Sequence, residues 1–137
     1  MIRSLLTAAA VAVGLSWAPS VTIAGQDAPK EHKGFKTLKT QVLDLAPEIP
    51  GMEGRQLRLR LLRIEPGGHI GIHSHKNRPS VVYFLQGADT VTFGDGSSKT
   101  FHPGDTTSAS RNTTHWHRND GKDAVLLIAA DVRKVKK

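Results

Sequence analysis

The sequence contains no cysteine, and only 5% of its 137 residues are aromatic. Without cysteine the chain forms no disulfide and carries no lipidated cysteine, although this absence by itself identifies no compartment. Outside the N-terminal segment, no stretch repeats apolar residues with the 3.6-residue period of a helix, which argues against a helical domain. A chain of this length buries one core, so we expect a single small domain.

The only long apolar run lies at the N-terminus, from Leu5 to Ala18, between Arg3 and a series of small residues that ends at Ala24. This order is typical of a secretory signal peptide, and the run is too short and too rich in alanine to favour a membrane span. We therefore predict a signal peptide over residues 1–24, a periplasmic or secreted protein, and no membrane span after cleavage. A retained hydrophobic anchor is the alternative.

The formal net charge of +7 is concentrated at the two ends of the chain. Residues 40–132 contain ten Lys or Arg and ten Asp or Glu, so this region has no net charge. A nucleic-acid-binding domain would carry its basic patch within the folded region, and we predict no nucleic-acid partner. We interpret residues 25–39 as a flexible basic lead-in, 40–132 as the folded domain and 133–137 as a basic tail.

Between these ends the sequence consists of short alternating segments divided by Gly, Pro, Asn and Asp, which predicts an all-β sandwich or barrel. The clearest alternation spans residues 55–65, where leucines occupy one face and Arg58 and Arg60 the other. The pattern inverts at Leu61 and Leu62, which indicates either a β-bulge or a strand that passes between two environments. This strand of leucines and arginines offers a surface for contact with a second copy.

Histidines recur at strand spacing in two places. One set follows a predicted turn at residues 66–68, and the second lies about forty residues later. Since alternate side chains of a strand share a face, and neutral imidazole is a common ligand of divalent metals, each set has the spacing of a metal site. The alternative is a polar strand face whose histidines contact only water. The residues are His69, His73, His75, His115 and His117.

These two segments resemble the two motifs of the cupin superfamily, over roughly residues 43–132. The first motif is matched in register by Gly67, His73, His75 and Gly87. The second is matched by Gly104, His115 and Asn119. The chain departs from the family at three positions, where Ser80 replaces a glutamate, Ser110 a proline and Asn112 a glycine. The resemblance implies a double-stranded β-helix, also called a jelly-roll barrel.

The resemblance further implies that His73, His75 and His115 bind a divalent metal. The identity of the metal stays open among iron, manganese, nickel, copper and zinc. With Ser80 in place of glutamate, the ligands would be three neutral imidazoles. Water, substrate or a further side chain would complete the metal's coordination. His69 and His117 are the candidates for a fourth ligand or for a general acid or base.

Two functions of different classes follow. The first is an exported metal-dependent cupin enzyme, such as an oxygenase, lyase or isomerase acting on a small polar molecule; some cupins use three histidines for iron-dependent dioxygenation. The second is a non-catalytic cupin that binds a small ligand or metal for sensing, storage or delivery. The retained histidines favour the first function, and the missing glutamate keeps the second open.

Family resemblance also implies a homodimer. We interpret the two remaining histidines, His32 and His102, as surface histidines.

Overall fold

The computed structural model describes residues 27–135, which form eight antiparallel strands in a single sheet that curls into a nearly closed barrel. Within this range there is no helix, and therefore none long and apolar enough to cross a membrane. The predicted all-β barrel is confirmed. The strands are β1 (Lys33–Asp44), β2 (Arg55–Ser74), β3 (Ser80–Gln86), β4 (Asp89–Phe93), β5 (Ser98–Phe101), β6 (Thr106–Ala109), β7 (Thr114–Arg118) and β8 (Val125–Lys134).

The twenty-residue strand β2 is the centre of the sheet, whose order is β5-β4-β7-β2-β8-β3-β6, with β1 also paired to β2. The first half of β2 pairs with β1 and β8, and its second half pairs with β7. Residues of β2 near His73 therefore lie directly beside residues of β7 near His115.

The core fills the barrel with apolar side chains from five of the strands. Its largest members include Phe84 and Phe101, whose rings stack with their centroids 4.7 Å apart. Burial of this apolar surface is the main favourable term in folding. The core residues are Leu62, Ile64, Ile70, Phe84, Val91, Phe101, Val125, Leu127 and Ala129.

At the start of β2 the leucines face outward and the arginines face inward, which is the reverse of an ordinary amphipathic strand. Leu57 and Leu59 are more than 40% exposed, whereas the side chains of Arg58 and Arg60 are about 15% exposed and point inward. The register with β8 is continuous from residue 55 to residue 64, whereas the register with β1 shifts between Thr37 and Lys39, opposite Leu62 and Leu61. The predicted irregularity thus exists in the pairing with β1, and β2 also changes its neighbours along its length, from β8 to β7.

Two predicted boundaries and one predicted turn need correction. The lead-in prediction is wrong for residues 33–39, because their backbone pairs with β2 and places Phe35 opposite Ile64 in strand β1. The predicted tail begins two residues too early, since β8 continues to Lys134. The predicted turn at residues 66–68 lies inside β2, where the backbone of Gly67 and Gly68 hydrogen-bonds to Asn119. The predicted signal peptide, residues 1–24, lies outside the described residues.

Candidate metal centre

Four histidines converge inside the barrel: His73 near the end of β2, His75 just after it, and His115 and His117 in β7. His73 pairs directly with His115, and this opposition brings their imidazole rings to a centroid distance of 4.7 Å. The His75 and His117 rings lie 4.8 and 4.7 Å from the His115 ring. His115 is therefore the centre of the cluster.

Hydrogen bonds fix which nitrogen of three rings faces the centre. The Nδ1 atoms of His73 and His75 lie 2.9 and 2.8 Å from the backbone carbonyl oxygens of Gly71 and Arg78. A carbonyl oxygen only accepts, so each Nδ1 carries the proton, and the Nε2 of the neutral ring keeps its lone pair. Anchoring of this kind is typical of metal-binding histidines.

The His117 ring is anchored by the buried carboxylate of Asp89, whose Oδ2 accepts a hydrogen bond of 2.7 Å from Nδ1. Asp89 is fully buried, and its Oδ1 has no hydrogen-bond partner among the described residues. A carboxylate behind an imidazole fixes the ring orientation and makes the nitrogen on the other side a stronger metal ligand. Asp89 was not among the residues picked out from the sequence, although its place two residues before the buried Val91 is a signal for an inward carboxylate.

The spacing of the Nε2 atoms fits ligation of a single cation. His115 Nε2 lies 3.0 Å from His75 Nε2 and 3.2 Å from His73 Nε2. Two nitrogens bound to one ion at about 2.1 Å are about 3.0 Å apart at a right angle and about 3.4 Å apart at a tetrahedral angle. One proton on His115 Nε2 points at a single neighbour, so the second close nitrogen pair has no hydrogen bond. A cation bound by the Nε2 lone pairs would remove this conflict.

His117 extends the site. Potential ligand atoms of His73, His115 and His117 all lie within 4.8 Å of one another. His73, His115 and His117 are therefore the triad whose ligand atoms are all close to one another, and His75 joins it through the 3.0 Å contact of its Nε2 with His115 Nε2. Four imidazoles fill a tetrahedral shell but leave two open positions in an octahedral one, so metals that accept six ligands would keep room for a substrate.

Their surroundings keep His73, His75 and His115 neutral, the form in which histidines bind metals. Burial lowers the pKa of His73 from 6.5 to about 4, against a partly opposing hydrogen bond to the Gly71 carbonyl. Burial, with the charges of the other histidines, lowers the pKa of His115 to about 2. The pKa of His75 is also lowered, mainly by burial. A neutral imidazole keeps the lone pair that a metal needs.

His69 was expected to share a face with His73, and that expectation is wrong. The pairing with β7 is irregular between Ile70 and His73, so that buried Ile70 and inward His73 are separated by two residues instead of one. His69 therefore lies on the other side of the strand, in a depression with Trp116 and Arg118. Its place outside the histidine cluster argues against a role as a fourth ligand.

The histidines line an internal cavity of about 150 Å³. Typical small-molecule pockets are about 300 to 1,000 Å³, so this cavity suits a compound of only a few non-hydrogen atoms. His32, which precedes β1, and Phe35 of β1 also line this cavity. His32 is exposed, as expected, but its Nδ1 also accepts a 3.0 Å hydrogen bond from the Gly71 amide.

Beside the histidines, three arginines surround one carboxylate. Arg58, Arg60 and Arg78 donate hydrogen bonds of 2.8 to 3.2 Å to Asp131, whose side chain is fully buried. Burial alone would raise the pKa of Asp131, but the hydrogen bonds and charges of the arginines, Arg58 foremost, hold it below its usual value. Burial and the neighbouring charge of Arg58 lower the pKa of Arg60.

Comparison with known proteins agrees with this geometry. A family model for the cupin domain matches residues 60–131, which include both histidine pairs and Asp131. The chain belongs to the cupin family. No curated protein matches the sequence.

Several solved structures share the cupin barrel. A predicted oxalate decarboxylase from Thermotoga maritima has a TM-score of 0.55 at 16% identity, over 80% of this chain and 96% of its own. A structure from Thermus thermophilus has a TM-score of 0.52 at 25% identity, over 59% and 75% of the two chains. An uncharacterized double-stranded β-helix protein from Klebsiella pneumoniae has a TM-score of 0.52 at 17% identity, over 59% and 76%. These likenesses show the fold.

Within the cupin barrel, Ser80 occupies the position at which the family resemblance expects a glutamate. It is buried, lines the cavity, and its Oγ lies 3.2 Å from His75 Nδ1. A serine hydroxyl is a neutral group, so Ser80 adds no negative charge beside the histidines. His117 instead supplies a fourth nitrogen to the cluster, as one of the two candidates identified from the sequence.

Proposed function

We propose that this protein is an exported cupin that binds one divalent metal through His73, His75, His115 and His117 and acts on a small polar molecule in the adjoining cavity. The convergence of the Nε2 atoms on His115, with the Nδ1 atoms of the other three rings anchored, is the observation that carries the proposal. Export rests on the signal-peptide pattern over residues 1–24.

When bound, the metal would supply Lewis-acid or redox chemistry, which includes the oxygenase, lyase and isomerase classes. The chain's own residues define the rest of the site. The carbonyls of Gly71 and Arg78 and the carboxylate of Asp89 keep three imidazoles oriented, so that little reorganisation is needed on metal binding. The apolar side chains of Leu62, Ile70 and Leu127 form part of the cavity wall and exclude bulk water.

Metal content tests this proposal. The protein, purified without a histidine tag, should contain about one equivalent of a transition metal after reconstitution, measured by inductively coupled plasma mass spectrometry. The variant H73A/H75A should lose it, whereas H102A should not, because His102 is exposed and lies outside the cluster. Equal metal content in wild type and H73A/H75A would contradict the proposal.

A measurement of turnover distinguishes an enzyme from a protein that only binds a ligand. A metal-loaded sample that consumes a small substrate, with loss of the rate in H73A/H75A and retention in H102A, would support an enzyme. Stoichiometric ligand binding without turnover would favour the non-catalytic cupin that binds a ligand or metal for sensing, storage or delivery.

A further inference from the structure

Two positively charged side chains line the same cavity as the histidines. Arg60, from β2, and Arg78, from the loop that follows His75, both contribute to its wall. Each also reaches the Asp131 carboxylate, through Nη2 at 3.1 Å and Nη1 at 3.2 Å, respectively. One carboxylate therefore holds both guanidinium groups at the cavity side of the barrel.

The charges in this cluster do not balance. Asp131 is the carboxylate that pairs with Arg58, Arg60 and Arg78, so three positive groups share one negative group. The Nε of Arg60 is buried and has no hydrogen-bond partner among residues 27–135. This Nε is closed off from the cavity, so the outer nitrogens of the guanidinium groups are the ones left to meet a ligand. Excess positive charge is costly to keep in a partly buried place, and an anion in the cavity would offset it.

We propose that Arg60 and Arg78 form a carboxylate-binding subsite beside the histidine cluster, so that the molecule taken by the cavity is a small carboxylate. This deepens the function proposed above and rests on it for the metal. A planar carboxylate matches the guanidinium fork, which binds it with charge-assisted hydrogen bonds. A second oxygen of the same molecule would face the histidines, since the cavity of about 150 Å³ holds both groups of residues around one small compound.

A pair of probes of nearly equal size tests the subsite. Pyruvate and its neutral amide, pyruvamide, are titrated into the metal-loaded protein by isothermal calorimetry. A charge-assisted hydrogen bond favours pyruvate by about tenfold or more, and we expect this preference in the wild type. R60Q should remove most of it. R63Q is the matched control, because Arg63 lies on the same strand and also pairs with a carboxylate, Glu65, but does not line the cavity.

Equal affinity for pyruvate and pyruvamide in the wild type, or an unchanged preference for pyruvate in R60Q, would overturn the proposal. The circular dichroism and melting temperature of R60Q establish that it is folded; if it is not, R78Q takes its place with the same expectation. Repeating the titration on metal-free protein separates the two proposals. Pyruvate binding that depends on Arg60, in a protein that takes up no metal, would support the subsite while contradicting the metal centre.

Discussion

The Asp89 carboxylate and the His117 imidazole form a buried pair, with Nδ1 and Oδ2 2.7 Å apart and neither side chain more than 6% exposed. The two residues are 28 positions apart in sequence, and β4 and β7 bring them together by pairing Val91 with His117. The pair orients the imidazole and places a negative charge behind it, which makes the histidine cluster a better site for a cation.

Removal of the negative charge of Asp89 should lower the affinity of the histidine cluster for metal. D89N keeps the size of the side chain but loses the carboxylate, and loss of such a supporting group typically costs about 10- to 100-fold in metal affinity. Competition with a chromophoric chelator measures that affinity. D95N is the control, because Asp95 lies in the exposed turn after β4. Equal affinities for D89N and wild type would show that the pair has no part in metal binding.

The stability of the metal-free protein should fall as the pH is lowered below 6.5. The pKa values of His73 and His115 are lowered from 6.5 to about 4 and about 2. Between pH 6.5 and 4 the unfolded chain therefore binds more protons than the folded protein, and protonation favours unfolding. Each histidine contributes a loss of up to about 1.4 kcal/mol per pH unit in this window.

Urea unfolding between pH 7 and pH 5 measures this dependence, provided that metal is removed with a chelator. H73Q should have a shallower slope than the wild type, and H102A should have the same slope. A free energy of unfolding that is constant or increases on acidification from pH 6.5 to 5 would contradict the conclusion that His73 and His115 are buried in the neutral form.

Gly71 should be required for the docking of the segment that carries His32. A Cβ at Gly71 would lie 2.5 Å from the carbonyl oxygen of Lys30, too close for any real contact. G71A should displace this segment and break the 2.7 Å hydrogen bond from the Ile72 amide to the Pro29 carbonyl. Hydrogen exchange at the Ile72 amide should accelerate by about tenfold or more, since loss of one such bond is worth about 1 kcal/mol or more.

G94A is the control for this experiment, because a Cβ at Gly94 would meet its nearest neighbour at an ordinary 3.5 Å. Unchanged protection of Ile72 in G71A would show that the segment tolerates the extra methyl group and is not held by close backbone contact.

The outer face of the barrel should mediate a homodimer. Leu43 of β1 is directly opposite Leu57 of β2, and both are more than 40% exposed. Val81 and Tyr83 of β3 continue this apolar face on the far side of β8. Soluble monomers rarely expose large contiguous apolar patches.

Light scattering coupled to size exclusion should give a dimer for the wild type and a monomer for L57E/V81E. T100E, on the exposed strand β5, should remain a dimer. A monomeric wild type at micromolar concentration would contradict this assembly.

The sequence predicted the barrel and the convergence of the two histidine motifs well, because both depend on local alternation and on spacing. It did not predict which face of β2 points inward. Leucines normally turn inward, and only the distant Asp131 makes the inward arginines favourable. The sequence also did not predict the irregular pairing near Gly71, which places His69 on the opposite side of the strand from His73. Nor did it predict the position of His32, which depends on a hydrogen bond from the distant Gly71 amide.

The most direct test of the central claim is a crystal structure of the reconstituted protein with anomalous data collected at the absorption edge of the metal. We expect one strong anomalous peak per chain, about 2.0 to 2.3 Å from the Nε2 atoms of His73, His75, His115 and His117. We also expect that Nδ1 of His117 keeps its hydrogen bond to Asp89. No peak among these four histidines in fully reconstituted protein, or a peak only at surface residues, would contradict the metal centre.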